Sequence, residues 1–193
     1  MTTVLLMGPP GAGKGTHAGH LAGHLGVPVI STGDLFRRNI AEGTELGRTA
    51  QRYLDAGEYV PDEVTNDMVR SRLAAPDARP GFVLDGYPRT LDQAGVLDRI
   101  LGAQGRSLDA AVVLKVPVDA LVGRLLRRAE IEHRSDDTEE VIRRRFEVYH
   151  EQTAPLLEFY SARGIDHEVD ASPDIDTVRI HVREVAVQLK TAA

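Results

Sequence analysis

A glycine-rich loop at residues 8–16 constrains this chain more than any other part of its sequence. It reads Gly-Pro-Pro-Gly-Ala-Gly-Lys-Gly-Thr, follows the apolar run 4–7 and precedes a segment with helical periodicity. Glycines allow the backbone to turn its N–H groups inward, while Lys14 and the helix start supply positive charge. This order of elements predicts a site for nucleotide phosphates. A plain turn between strand and helix is the alternative, but a turn does not require the lysine.

Short apolar runs alternate with helix-length segments along the whole chain. The alternation predicts an α/β fold, a P-loop three-layer sandwich with a five-stranded parallel sheet. Ligands of such sheets bind beyond the carboxyl ends of the strands, which is where we expect the glycine loop. The predicted strands are 4–7, 27–30, 82–84, 110–116 and 165–171.

The length of 193 residues suits one domain with a single core and two small insertions. We expect the helix before the second insertion to end near Leu126 and the helix after it to kink or restart at Pro155. The predicted parts are a core of 1–30, 61–127 and 138–193, a helical flap at 31–60 and a short polar lid at 128–137.

Composition limits the partners of the chain. It carries 23 basic and 29 acidic residues, for a net charge of −6, so a nucleic acid is not an expected partner. It has no cysteine, which excludes disulfides and thiolate metal sites and suits a reducing cytoplasm. The first apolar run is too short for a signal peptide or a membrane span, so no membrane attachment is expected.

A second chemical signal lies at 82–90, where the apolar strand ends in Asp85 and continues as Gly-Tyr-Pro-Arg-Thr. In phosphate-loop proteins, a carboxylate that ends a neighbouring strand helps to hold the hydration shell of Mg²⁺. Arg89 follows the same strand end, and its planar guanidinium can grip a phosphate. The alternative is a strand-to-helix turn capped by Thr90, which accounts for the cap but not for the arginine.

Helix-borne charges and histidines give weaker signals. His17, His20 and His24 share one face opposite an apolar stripe, and we expect them in solvent rather than on a metal, since no carboxylate shares that face. Acids are interleaved with a series of arginines, so most of that series is expected on a solvated face, with members near the lid placed to cover bound phosphates. The series is Arg124, Arg127, Arg128, Arg134, Arg143, Arg144 and Arg145.

Together these motifs resemble the adenylate kinases, in their short-lid form, over essentially the whole chain. The loop places Gly15 before the hydroxyl, which departs from the strict pattern Gly-x4-Gly-Lys-[Ser/Thr] and is similar to that family's phosphate loop. Segment 31–37 resembles its AMP-binding segment, and 85–90 with Gln93 resembles its Asp-Gly-[Phe/Tyr]-Pro-Arg signature. Residues 134–137, followed by Arg145, resemble the lid and the next helix.

The resemblance implies a role at each matching position. For ATP it implies contacts from Gly11, Ala12, Gly13, Lys14, Gly15, Thr16, Arg124, Arg128 and the backbone near Pro173. For AMP it implies contacts from Thr32, Arg37, Glu58, Tyr59, Val60, Gly86, Tyr87, Pro88, Arg89, Gln93, Arg134 and Arg145. For catalysis it implies charge stabilisation by Lys14, Arg89, Arg124, Arg134 and Arg145, with Asp85 holding Mg²⁺ through water.

Two of these positions have a competing local interpretation. Ser31 and Asp34 form a capping pattern beside Thr32, and Gln93 completes a second capping box with Thr90. On the residues alone, a cap and a nucleotide contact are equally good explanations. The resemblance favours AMP contacts at Thr32 and Gln93.

The resemblance also implies the reaction ATP + AMP ⇌ 2 ADP with Mg²⁺. We expect a monomer, because the flap and the lid both need free space to move, and a cytoplasmic location, which the absence of cysteine suits. The expected partners are therefore ATP, AMP and ADP, in purine nucleotide homeostasis and salvage. No structural zinc is expected, because the lid is short and lacks cysteine. The chain departs from the family pattern at His17, usually glutamine, and at Ala129 and His133, usually glycines.

Other functions compete with this one. Kinases for UMP and CMP usually carry alanine in place of Thr32 and asparagine in place of Thr90, so these residues together with Gln93 favour adenine. Guanylate kinase builds its acceptor flap differently. A phosphate-loop switch or binder without transferase activity does not need Arg37 and Arg89 for a second nucleotide. A plain hydrolase needs a water-positioning residue, and we identify none.

Overall fold

The computed structural model describes residues 2–132 and 138–192, with a parallel sheet at the centre. Its strands are β1 (Thr2–Met7), β2 (Val29–Ser31), β3 (Gly81–Asp85), β4 (Ala110–Lys115) and β5 (Asp166–Asp170). All neighbouring pairs are parallel, in the order β2-β3-β1-β4-β5. The predicted five-stranded parallel sheet is confirmed.

Helices cover both faces of the sheet. They are α1 (Lys14–Leu25), α2 (Thr32–Ala41), α3 (Glu45–Asp55), α4 (Asp62–Leu73), α5 (Leu91–Ala103), α6 (Val118–Glu132), α7 (Glu139–Val148), α8 (Pro155–Ser161) and α9 (Ile175–Ala192). A 3₁₀ turn spans Pro76–Ala78, and a π turn spans Tyr149–Thr153. Within the described ranges, no helix is long and apolar enough to cross a membrane.

Strand β1 shows how the sheet separates two apolar layers. Val4 and Leu6 join a buried cluster with α1 and α9, while Leu5 and Met7 join a cluster with α4, α5 and α8. Successive strand residues point to opposite faces, so a continuous apolar run is buried on both sides. The sheet is therefore a rigid support, and the loops at its carboxyl edge are fixed by the strands that feed them.

The flap is a pair of helices with its own small apolar cluster. Phe36 on α2, Ala50 on α3 and Val60 are buried together, and side chains from the start of α4 pack against them. The predicted helical character of 31–60 is confirmed. This separate cluster lets α2 and α3 keep their mutual packing apart from the two main layers.

The structure corrects the predicted helix end before the lid. Helix α6 continues past Leu126 to Glu132, through the first residues of the predicted lid. The continuation follows from its sequence, because 127–132 contains good helix formers and neither glycine nor proline. The rest of the lid, including His133 and Arg134, lies outside the described residues. After α7 the chain passes through the π turn, and α8 begins at Pro155, where the sequence predicts a restart.

Candidate functional site

A cavity of about 500 Å³ opens at the carboxyl edge of the sheet, between the glycine loop, the flap, α6 and α7. Of the residues predicted for the donor nucleotide, those lining it are Gly11, Gly13, Lys14, Gly15, Thr16, Arg124 and Arg128. Of those predicted for the acceptor and the metal, the lining residues are Thr32, Arg37, Glu58, Tyr59, Val60, Asp85, Gly86, Tyr87, Pro88, Arg89, Gln93 and Arg145. One cavity thus brings together nearly every predicted site residue.

Three predicted residues do not belong to this lining set. Ala12 is buried beneath the loop, where its methyl group joins the apolar layer under α1. Pro173 lies just beyond the end of β5 and does not line the cavity. Arg134 lies outside the described residues.

The glycine loop delivers backbone N–H groups to the cavity. Gly11 and Gly13 have φ angles of +81° and +90°, in the left-handed region that favours glycine. Gly13 is also the N-cap of α1, and no side chain among the described residues caps this helix. The first N–H groups of α1 therefore remain available to an anion, with the positive end of the helix dipole behind them.

Lys14 is a buried cation of the cavity whose pKa is strongly lowered. Its Nζ donates to the carbonyl oxygens of Gly8 (2.7 Å) and Pro9 (3.0 Å). Burial lowers its pKa to about 8, and the charges of Arg89 and Arg145 act in the same direction against the attraction of Asp85. These cations repel one another around a shared space, which makes that space a strong binding site for a polyanion.

Asp85 ends β3 opposite Leu6 of β1, and so lies beside the start of the glycine loop. Burial raises the pKa of its carboxyl group, while the nearby positive charges of Lys14 and Arg89 lower it. A carboxylate oxygen in this position is a suitable ligand for a hard divalent cation or for its water shell. The predicted magnesium residue is therefore in chemically appropriate surroundings.

Arg89 is held from several directions at once. Its Nε donates to Gly86 O (2.8 Å), and its backbone N–H donates to Gln93 Oε1 (2.7 Å). The guanidinium carbon lies 4.7 Å from the centre of the Tyr59 ring. Thr153 Oγ1 donates to the Arg89 carbonyl oxygen (2.9 Å). An arginine fixed in this way meets a phosphate with little loss of side-chain entropy.

Thr32 and Gly86 lie side by side in the lining of the cavity, at positions predicted to contact AMP. Thr32 is 1% exposed, and its Oγ1 donates to Gly86 O across 2.9 Å. Gly86 has a φ angle of +79°, and a Cβ atom there would lie 2.7 Å from Thr32 Oγ1. The cap predicted beside Thr32 is confirmed, since Ser31 Oγ accepts from Asp34 N–H at 3.3 Å. The same residues thus serve the helix start and the shape of the cavity.

Both the oxygen and the nitrogen of the Gln93 side-chain amide form hydrogen bonds within the protein. Thr90 Oγ1 accepts from Gln93 N–H (3.1 Å), which confirms the cap on α5. The side-chain oxygen accepts from Arg89 N–H rather than from Thr90, and the side-chain Nε2 donates to Asp62 Oδ1 (2.6 Å). Gln93 is 1% exposed and still lines the cavity.

Fewer arginines of the series are exposed than the sequence predicts, since three of its described members, Arg124, Arg128 and Arg145, line the cavity. Arg127 and Arg143 are exposed, whereas Arg128 and Arg145 line the cavity. Arg124 donates from both terminal nitrogens to the carbonyl oxygen of Ala171, at 3.1 and 3.2 Å, and so connects α6 to the loop after β5. Arg144 instead contacts the flap, where its Nε donates to Glu58 Oε1.

The prediction that all three histidines of α1 face solvent is wrong for His17. His20 and His24 are exposed, but His17 is only 4% exposed, and its Nδ1 is buried with no hydrogen-bond partner among the residues that the structure describes. Its Cδ2 lies 3.3 Å from the position that a Cβ atom on Gly13 would occupy. Burial, together with the nearby charge of Arg179 on α9, lowers the His17 pKa. This imidazole is therefore part of the support beneath the phosphate loop.

Sequence reasoning missed three residues that shape the cavity. Thr153 and Tyr149 come from the π turn and line it, and Thr153 Oγ1 also lies 2.7 Å from the Tyr59 hydroxyl oxygen. Asp62, at the start of α4, does not line the cavity but accepts hydrogen bonds from Thr90 and Gln93. The restart expected at Pro155 marks the region of the π turn but carries no chemical signal, so no motif pointed to these side chains.

Comparisons with known proteins cover almost the whole chain. The family model described as Adenylate kinase matches residues 6–165. An adenylate kinase of Nocardioides sp. is 58% identical over 179 residues, 93% of this chain and 94% of that protein. One of Kocuria rhizophila is 58% identical over 178 residues, covering 92% and 95% of the two chains. One of Micrococcus luteus is 51% identical over 192 residues, covering 100% and 94%.

Proposed function

The chain belongs to the adenylate kinase family, so it is a phosphotransferase for ATP + AMP ⇌ 2 ADP, and we propose that the cavity at the carboxyl edge of its sheet holds both nucleotides at once. The observation that carries this proposal is the placement of Lys14 and Arg89 beyond two adjacent strands, β1 and β3, facing one cavity. Two fixed cations from different strands can neutralise two phosphate chains that must approach each other.

On the donor side, the N–H groups of Gly11 to Thr16 wrap the ATP phosphates. Lys14 turns from the carbonyl oxygens of Gly8 and Pro9 toward the transferred group. Arg124 and Arg128 contact ATP, and the backbone near Pro173 meets its adenine. The contact between Arg124 and the loop after β5 supports this arrangement, because it joins the arginine to the segment that leads to Pro173.

On the acceptor side, the flap and the 85–93 segment hold AMP. Arg37 and Arg89 bind its phosphate, and Gln93 contacts its adenine. The remaining acceptor contacts come from Thr32, Glu58, Tyr59, Val60, Gly86, Tyr87 and Pro88. Arg145 bridges the phosphates from this side, and Arg134, outside the described residues, is assigned the same role.

Transfer requires no general base in this site. The nucleophile is a phosphate oxygen of AMP, already anionic near neutral pH, and it attacks the γ-phosphorus of ATP while the bond to the β-phosphate oxygen breaks. Lys14, Arg89, Arg124, Arg134 and Arg145 stabilise the charge on the transferred group. The fixed geometry of Arg89 supports this mechanism, since positioning and charge are what such a reaction needs.

The family implies Mg²⁺, and the surroundings of Asp85 fit it. A buried carboxylate beside the phosphate loop offers the hard oxygen that this cation or its water prefers. When bound with ATP, Mg²⁺ supplies further neutralisation of the phosphate charge.

We assign the flap to 31–60 and the lid to 128–137 as parts that close over the nucleotides and exclude water. The apolar contacts between α2 and α3 support the flap moving as a unit about its packing on the start of α4. We propose a monomer, because both parts need free space. We also propose a cytoplasmic location, which a chain without cysteine suits.

An acceptor panel tests the proposal. The purified protein is incubated with Mg·ATP and AMP, GMP, UMP, CMP or no acceptor, and ADP and inorganic phosphate are followed. AMP should give the fastest ADP formation, and phosphate release without acceptor should be negligible. Faster transfer to a pyrimidine nucleotide would contradict the acceptor assignment, and phosphate release without acceptor would identify a hydrolase.

A further inference from the structure

Helix α4 presents two oxygen acceptors to the segment between β3 and α5. At the helix start, Asp62 accepts from Gln93 Nε2 at 2.6 Å and from Thr90 Oγ1 at 2.9 Å. One turn later, Asn66 Oδ1 accepts from the Tyr87 hydroxyl at 2.7 Å. Residues four apart share a helix face, so a single face of α4 holds this segment of the acceptor site.

The partners of Gln93 dictate which way its amide points. The Asp62 carboxylate can only accept a hydrogen bond, so it must face the amide nitrogen. The backbone N–H of Arg89 can only donate, and it lies 2.7 Å from the amide oxygen. Turning the amide over would oppose both contacts. Because Gln93 is 1% exposed, bulk water has little access to replace these partners.

The fixed amide keeps one lone pair and one N–H for a ligand. Adenine carries an amino donor at position 6, whereas guanine carries a carbonyl acceptor there. An amide oxygen held toward the base is satisfied by the adenine amino group, and it faces an acceptor when guanine binds. A buried polar group left facing a like group is a strong source of discrimination.

We propose that Asp62 is a positioning residue that holds the Gln93 amide in the orientation that selects adenine over guanine as the acceptor base. The inference rests on the proposed function, since it takes Gln93 as the contact to the AMP base. It goes further by assigning acceptor selectivity to a carboxylate that acts through Gln93. Asp62 is the first residue of α4 and directly follows Pro61 at the end of the flap, so it connects the flap to the side chain that contacts the base.

The test compares Asp62→Asn with the wild-type protein, with Glu63→Gln as a matched control. Asparagine offers both a donor and an acceptor and no longer dictates the amide orientation. We expect the ratio of kcat/KM for AMP to that for GMP to fall about tenfold, the scale of one lost hydrogen bond. The KM for ATP should stay unchanged. Glu63 is exposed on the same helix turn, and its variant should retain the wild-type ratio.

Two further measurements separate positioning from general damage. In a Gln93→Met background, Asp62→Asn should produce no further change in selectivity, because its effect passes through the amide. In the wild-type protein, the Gln93 side-chain amide proton bonded to Asp62 should exchange with solvent more slowly than the side-chain amide protons of the exposed Gln51. This measurement does not depend on the folding of any variant. An unchanged ratio in folded Asp62→Asn, or exchange of the Gln93 proton as fast as that of Gln51, would overturn the inference. A wild-type protein that does not use AMP would instead refute the proposed function.

Discussion

Arg144 Nε donates to Glu58 Oε1 across 2.6 Å, and this contact joins the flap to α7. Both side chains are partly exposed, at 40% and 35%. Arg144 also donates to Glu147 Oε2 at 3.0 Å within its own helix. The next residue, Arg145, lines the cavity. The ion pair therefore holds the acceptor flap beside an arginine that we assign to phosphate binding.

Replacing Arg144 with alanine should weaken AMP binding without affecting ATP. A half-exposed ion pair contributes about 0.2–1 kcal/mol, so the KM for AMP should rise up to about fivefold. The increase should shrink in high salt, which screens the pair in the wild type. Steady-state kinetics with Arg143→Ala as control provide the comparison, since Arg143 pairs with Glu139 inside α7. An equal effect from the control would refute a specific flap contact.

Replacing Lys14 with methionine should reduce turnover by at least about 100-fold while the fold is retained. Methionine lacks the ammonium group of lysine but keeps much of the apolar length of its side chain. Initial rates of ADP formation, together with circular dichroism and the unfolding midpoint, check both parts. Lys115→Met is the matched control, because Lys115 pairs with Glu168 away from the cavity. A folded Lys14 variant with near-normal rates would remove the basis of the donor site.

The Lys14 pKa of about 8 predicts a pH dependence on the alkaline side. Burial disfavours the ammonium form, so the free enzyme loses this charge as the pH rises through about 8. The value of kcat/KM for ATP should therefore fall above that pH. Bound phosphates favour the ammonium form and raise the pKa, so kcat should decline only at higher pH. A kcat/KM profile that stays flat between about pH 7 and about pH 10 is incompatible with this role.

His17 should make the free energy of unfolding sensitive to acid. Burial lowers its pKa in the folded chain below 6.5, so the unfolded chain binds the proton more tightly. Its contribution is complete above pH 6.5 and is lost as the pH falls toward the lower folded value. Urea unfolding at about pH 7.5 and about pH 5.5 should show that acidification lowers the free energy of unfolding less in His17→Gln than in the wild type. The exposed His24→Gln should behave like the wild type, and an identical acid-induced loss of unfolding free energy in all three proteins would show that His17 does not titrate on unfolding.

Local patterns were sufficient for the elements that carry the donor site. The glycine loop, Lys14 and the start of α1 are consecutive, so spacing alone defined them. The strand that ends in Asp85 was predicted equally well, because an unbroken apolar run indicates a buried strand. The prediction that the helix ends near Leu126 was wrong, because the polar residues after it are good helix formers. Such a segment contains no signal that ends a helix, and charge alone does not end one.

Contacts between distant segments account for what the sequence did not reveal. His17 shares a helix face with two exposed histidines, and it is buried because α9 packs against α1. Asp62 meets Gln93 across 31 positions of sequence, and Thr153 meets Arg89 across 64. Such partners leave no periodicity or motif, so they become visible only when the fold is known.

The central claim is that one cavity holds donor and acceptor together for direct transfer. The most direct test supplies ATP labelled in its γ-phosphate, with and without AMP, and follows where the label goes. We expect it in the β-phosphate of the ADP formed from AMP, with negligible labelled inorganic phosphate in either reaction. Label released as inorganic phosphate at the same rate with and without AMP would contradict the account.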